Sequence, residues 1–162
     1  PVGTYSSNTR AGSVDECLPC PAGKYCASEA LTAPTGDCSP GSFCILGATQ
    51  PSYTEAETTE QVGICPLDHY CVSGTGVPPR CGTGQWSAGR LGLTSLAACS
   101  PCPAGKFCDP TNPAPLPTGL CQEEFYCPAG SSVPAPPSTP CEPGHFCPTG
   151  SATQTPCPPG SY

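Results

Sequence analysis

Cys17 with Cys20, and Cys99 with Cys102, stand at the Cys-x-x-Cys spacing with which paired thiolates grip zinc or run thiol–disulfide exchange. Zinc needs further ligands, and the only two histidines are His69 and His145. Each sits just before an aromatic residue, in a slot that elsewhere holds Lys24, Ser42, Gln85, Lys106, Phe125 or Ser161. A slot varied this freely within one chain is a surface position, so no metal ligand is assigned. A redox role needs a βαβ setting, and no such alternation surrounds either pair. Nucleophilic hydrolysis needs a base oriented by a third group, which two surface histidines do not supply. Calcium would draw on Asp15 and Glu16, or Glu123 and Glu124, but neither pair lies in the acidic alternation with Gly that builds an EF-hand loop. Glu55, Glu57 and Glu60 read as a solvated loop. The expectation is a chain with no catalytic residue, no metal and no cofactor.

The cysteines are left with one another as partners. There are 16 in 162 residues, beside 25 Pro and 19 Gly, close to the density of disulfide scaffolds from oxidising compartments. That points to an extracellular location, on a cell surface or in a matrix. Only 11 aromatics and no Met are available for a core. Five Lys and Arg, scattered singly under a formal net charge of −7, leave no basic patch for nucleic acid. No apolar run approaches the roughly 18 residues of a membrane span.

Self-comparison shows how the cysteines are organised. A motif Cys-Pro-x-Gly-x-aromatic-Cys runs from Cys20 to Cys26, Cys38 to Cys44, Cys65 to Cys71, Cys102 to Cys108, Cys121 to Cys127 and Cys141 to Cys147. In a variant opened by Cys81, Ser87 stands where the second cysteine would be, and Cys157 opens a last copy. The copy from Cys65 lacks the Gly, and the copy from Cys121 lacks both Pro and Gly. Successive first cysteines are 18, 27, 16, 21, 19, 20 and 16 residues apart. Pro fixes φ and Gly permits positive φ, so Pro-x-Gly is a preformed turn that brings the flanking cysteines together. The aromatic is expected to cover the bridge. Tyr5, Tyr25, Phe43, Tyr70, Trp86, Phe107, Tyr126, Phe146 and Tyr162 fill this slot, leaving only Tyr53 and Phe125 elsewhere.

A longer period overlies the motif. Residues 1–20 match residues 82–102, and both run into Cys-Pro-Ala-Gly-Lys-aromatic-Cys. On this register residues 1–80 form one superunit whose preceding cysteine is missing, 81–156 a second, and 157–162 the start of a third. The chain therefore reads as an excerpt of a longer array, with the partners of Cys17 and Cys157 outside it. Between motifs the chain is rich in Pro, Ser, Thr and Ala, which favours extended conformation over helix. Leu91 to Ala98 is the one helix-like stretch, and it reads as an ordered loop. The fold expected is a set of small disulfide-rich repeats: an elongated rod of short β-hairpins and irregular loops with almost no helix, each unit touching mainly its neighbours. No Asn-x-Ser/Thr sequon is present. The spacers suit O-linked sugars, on Thr111, Thr118, Ser138 and Thr139, or on Pro136 and Pro137 as hydroxyproline, and read equally as bare stiff spacers.

Two pairing schemes remain for the bridges. Locally, each motif closes on itself, as Cys20 with Cys26; in a crossed scheme the first cysteines of adjacent motifs pair, Cys20 with Cys38 and Cys26 with Cys44. The variant motif leaves Cys99 as the next cysteine available to Cys81. The local scheme treats that pair as the same bridge with a longer loop and so needs one rule for the array.

The strings from Tyr5 to Cys26 and from Trp86 to Cys108 carry a resemblance. Aromatic-Ser, a spacer, then Cys-x-x-Cys-Pro-x-Gly-x-aromatic-Cys resembles the ephrin-receptor-like cysteine-rich repeat, akin to the modules of tumour necrosis factor receptors. That resemblance implies an extracellular, elongated, non-catalytic module. Long arrays of this kind are similar to those in surface and matrix proteins of protists and algae, including flagellar hairs (mastigonemes). The expected function is a structural component of an extracellular filament, sheath or surface hair, with further copies of the repeat, filament subunits and glycans as partners. The alternative is the ligand-binding or adhesion ectodomain of a receptor. Its ligand face would lie at Tyr53 with Glu55 to Glu60, or at Gln122 to Phe125.

Overall fold

A computed structural model describes residues 1–8, 12–55, 60–112 and 116–160. Glu57, Ser161 and Tyr162 lie outside the described residues. Motifs are numbered 1 to 9 in chain order, motif 1 being residues 1–6 and motif 9 opening at Cys157, and positions within each are counted from its first cysteine. The turn at the centre of motifs 2 to 8 is closed by the N–H of position 5 donating to the carbonyl of position 2. Lys24 to Pro21 (3.1 Å), Gln85 to Gly82 (2.9 Å) and His145 to Glu142 (3.0 Å) are examples. Position 4 takes a positive φ, as at Gly23 (+85°) and Gly105 (+78°), the third residue of a type II turn. The two motifs without Gly keep the same geometry: Asp68 has φ of 62° and Glu124 of 70°. Bonds to the neighbouring motifs, described below, hold Glu124 in a conformation that a side chain disfavours.

From the turns of motifs 1, 2, 3, 5, 6 and 8 the chain enters a short strand that carries the aromatic, and the two or three residues before the next cysteine return to pair with it. The resulting sheets are all two-stranded and antiparallel. β1 (Thr4–Tyr5) pairs β2 (Leu18–Pro19), and β3 (Lys24–Tyr25) pairs β4 (Gly36–Asp37). β5 (Ser42–Cys44) pairs β6 (Val62–Ile64), and β7 (Gln85–Trp86) pairs β8 (Ser100–Pro101). β9 (Lys106–Phe107) pairs β10 (Gly119–Leu120), and β11 (His145–Phe146) pairs β12 (Thr155–Pro156). In motif 7 the pairing shrinks to one bridge between Phe125 and Pro140. Tyr25, Phe43 and Phe107 lie opposite Gly36, Gly63 and Gly119, and each ring rests over its partner's Cα. A β-carbon on Gly119 would stand 3.0 Å from the Phe107 ring.

Among the described residues there is no α-helix, only 3-10 turns at Val14–Glu16 and Leu96–Ala98. These occupy corresponding places in the two superunits. The helix-like stretch from Leu91 is thus a loop ending in a single tight turn.

The bridges close locally: Cys20–Cys26, Cys38–Cys44, Cys65–Cys71, Cys102–Cys108, Cys121–Cys127 and Cys141–Cys147, with Cys81–Cys99 as the long variant. Ser87, buried to 1% exposure, stands in the second-cysteine place of the variant. The cysteines are themselves the core. Cys38, Cys44, Ala48 and Val62 form one buried cluster with Tyr25 and Tyr53 against it; Cys102, Cys108 and Leu116 form another with Trp86 against it. The expectation that an aromatic covers the bridge needs refining: Tyr25 and Trp86 each pack on the cluster of the following motif rather than on a cluster of their own. By contacts the chain falls into two compact units, Pro1–Pro79 with Arg90–Ala98, and Arg80–Gly89 with Cys99–Tyr162.

Candidate functional site

The feature that repeats with chemical regularity is the set of hydrogen bonds between motifs. The residue at position 4 faces the bridge of the next motif and uses both its backbone groups there. Gly23 N–H donates to the Cys44 carbonyl (2.9 Å) and its carbonyl accepts from Cys38 N–H (2.9 Å). Gly3 does the same with Cys26 and Cys20, Gly41 with Cys71 and Cys65, and Gly84 with Cys108 and Cys102. Gly105 takes Cys127 and Cys121, and Glu124 takes Cys147 and Cys141.

The other side of four bridges is served by the residues three and four after the second cysteine of the following motif. Gly74 N–H donates to the Cys38 carbonyl (2.9 Å), and Cys44 N–H donates to the Thr75 carbonyl (3.1 Å). Gly47–Ala48, Gly130–Ser131 and Gly150–Ser151 serve the bridges of Cys20, Cys102 and Cys121 in the same way; Gly92–Leu93 serves that of Cys65. All four backbone polar groups of such a cysteine pair are therefore satisfied by its neighbours, which is what lets the pair be fully buried.

Motifs two apart also meet. A β-carbon on Gly3 would lie 2.7 Å from the Gly47 carbonyl oxygen, and one on Gly41 2.9 Å from that of Gly92. Gly23, Gly84 and Gly105 approach Gly74, Gly130 and Gly150 more closely still. In these five motifs the glycine at position 4 serves this contact as well as its φ.

The residues weighed for chemistry are dispersed. Cys17 and Cys157 are partly exposed and unbridged in this chain. Among the described residues no group of three or more His, Cys, Asp or Glu is arranged to hold a metal ion, and no helix is long and apolar enough to cross a membrane. Of the two candidate ligand faces, Tyr53 packs against the Cys38–Cys44 cluster and its N–H donates to Ser42 Oγ (3.1 Å). Glu123 to Phe125 line an open groove.

The acceptors named for sugars also separate. Thr118 Oγ1 accepts from Asp109 N–H (2.9 Å), and Thr139 Oγ1 donates to the Tyr126 carbonyl (2.6 Å). Thr111 is exposed but its hydroxyl donates to Asp109 Oδ1 (2.6 Å). Ser138 and Pro137 are exposed and Pro136 is half-buried. The hydrogen bonds from the Thr111 hydroxyl and N–H hold the Asp109 carboxyl below the usual value of 3.8, with a smaller contribution from Arg80. Arg80 itself clamps this loop, its guanidinium donating to the carbonyls of Pro110 (2.8 Å) and Asn112 (2.6 Å).

Sequence reasoning missed the glycine that follows the second cysteine. Its signal is a Cys-x-x-Gly spacing, at Cys44–Gly47, Cys71–Gly74, Cys127–Gly130 and Cys147–Gly150, as regular as the motif itself. No protein-family model matches this sequence, and the curated proteins include no match to it.

Proposed function

We propose that this chain is a non-catalytic structural segment of an extracellular filament, sheath or surface hair, in which cysteine motifs stack in tandem and further copies of the repeat extend the stack. The observation that carries the reading is the ladder itself: the conserved geometry of the motif goes into holding the adjoining motifs. Position 4 and the Cys-x-x-Gly step contribute backbone, not side-chain chemistry, to the neighbouring bridge. Seven closed bridges, all but one of their cysteines buried, suit an oxidising compartment. The resemblance to ephrin-receptor-like and tumour-necrosis-factor-receptor-like repeats belongs to this reading, as do glycans on the spacers, where Ser138 offers an exposed hydroxyl.

Electron microscopy of the native material tests the proposal. Fibres or sheets labelled by an antibody against this segment are expected. Dispersed particles at every concentration, with no fibre, would sink it.

A further inference from the structure

Five bridges, those opened by Cys20, Cys38, Cys65, Cys102 and Cys121, carry on one side a two-residue step from the following motif, as described above. The sixth local bridge, Cys141–Cys147, does not. Its upper groups are used by Glu124, but among the described residues nothing donates to the Cys141 carbonyl and nothing accepts from Cys147 N–H. The bridge is correspondingly less covered: Cys141 is partly exposed and Cys147 is 6% exposed, where the cysteines of the five are fully buried. Over it opens a groove of about 880 Å³ walled by Phe125, Pro140, Pro143, Phe146 and Pro148. Phe146 is 46% exposed there. His145 Nδ1, at the same wall, is buried without a partner.

We infer that this groove is a docking seat for the two-residue step of a further motif, a repeat of this chain's own kind. The inference rests on the stacking reading proposed above and names the surface that continues it. The seat has the same groups in the same places as the five filled ones: a first-cysteine carbonyl, a second-cysteine N–H, and the position 4 residue of the motif before. The incoming step supplies an N–H and then the carbonyl of the next residue, as Gly92 and Leu93 do for Cys65 and Cys71.

One residue departs from the pattern. Position 4 of motif 7 is Glu124, and a β-carbon at this place meets the carbonyl of the incoming glycine, as the 2.9 Å approach at Gly41 shows. Glu124 thus tunes the seat: a Gly-containing step docks only by shifting, and E124G removes the obstruction.

The test joins a second copy of residues 87–162 directly after Tyr162, which preserves the register because Tyr162 stands where Trp86 stands. The copied Gly92–Leu93 step then falls opposite Cys141 and Cys147. Amide hydrogen exchange is measured on the 162-residue chain, on the tandem and on the E124G tandem, with the Cys108 and Cys127 amides as internal controls of folding. The Cys147 amide is expected to exchange freely in the single chain and to slow by about a hundredfold in the E124G tandem, approaching Cys127, with a smaller slowing in the unaltered tandem. A Cys147 amide that exchanges as fast in the E124G tandem as in the single chain overturns the seat, and so does a copied repeat that stays unprotected throughout. Protection at Cys147 in a protein that forms no fibres would instead leave the seat standing and remove the filament reading.

Discussion

At position 4 of the motif two demands fall on one atom. The backbone must take a positive φ, and the side of the residue must admit a carbonyl from two motifs away. Gly105 and Gly144 separate these demands. Both have positive φ, 78° and 84°, but a β-carbon on Gly105 would run into the Gly150 carbonyl, whereas one on Gly144 would meet nothing within 4 Å. G144A should therefore cost only the left-handed penalty, about 1–2 kcal/mol. G105A adds an overpacking term of about 1–3 kcal/mol. Denaturant unfolding of the two oxidised variants reads the difference directly, and equal losses would mean that the close approach is unimportant. Asp109 offers a second test at this scale. Its carboxyl is held low chiefly by the Thr111 hydroxyl, so T111V should let its pKa rise towards the ordinary value, followed by carboxyl-carbon titration. A depressed folded-state pKa contributes stability that is fully present above the unfolded value and is lost as pH falls through the folded one. The wild-type loop should accordingly loosen only in acid below 3.8, and T111V should narrow that dependence.

At the scale of the hairpin, two threonines close the loop at the same place. Thr35 N–H donates to the Tyr25 carbonyl and its Oγ1 accepts from Ala27 N–H; Thr118 does the same with Phe107 and Asp109. T118V keeps the shape but leaves the Asp109 N–H without its acceptor, a loss of about 1–3 kcal/mol. T118S should recover most of it. A glycan on the Thr118 hydroxyl would compete with the same bond, so peptide mapping should find sugars at Ser138 in preference. How much of this was legible in the sequence follows from where each signal lies. The turn and the aromatic slot were legible because they sit within seven consecutive residues whose types have fixed backbone preferences, whereas the bridge was legible only as one of two schemes, local or crossed. The ladder was not, because its partners are backbone groups in different motifs, from Gly23 and Cys38 to the more distant Cys38 and Gly74, and a carbonyl carries no sequence label. Only the Cys-x-x-Gly spacing betrays it. Asp68 and Glu124 were opaque for the opposite reason: both break the motif in sequence, yet they take φ of 62° and 70° in the same turn, Glu124 being held there by its bonds to Cys141 and Cys147.

For the molecule as a whole, the pattern of bonds decides how damage spreads. Within each compact unit the position 4 residue ties motif to motif, 1 to 2, 2 to 3 and 3 to 4 in one and 5 to 6, 6 to 7, 7 to 8 and 8 to 9 in the other, and in motifs 1, 2, 3, 5 and 6 a glycine there also approaches a glycine of the next motif but one. A globular core would lose its protection all at once, but a stack loses it over a finite distance. Removing the Cys141–Cys147 bridge by C141A with C147A deletes a loop constraint of about 2 kcal/mol. It also loosens the bonds made by Glu124 N–H to Cys147 and by Cys141 N–H to Glu124. The Gly150 and Cys127 amides, which link motifs 7 and 8, should lose protection with them, and the Gly105 amide should weaken because Gly105 lies against Gly150. The Gly84 and Cys102 amides bond motif 5 to motif 6 and touch nothing in motif 8, so their exchange should be unchanged. Residue-resolved exchange of the double variant therefore distinguishes the two architectures. Uniform loss across Arg80–Gly89 and Cys99–Tyr162 would mean a single cooperative core; a gradient that dies out within two motifs is what a stack requires. Full reduction is the limiting case, since with every bridge opened no buried layer remains for the ladder to hold, and all protected amides should exchange together.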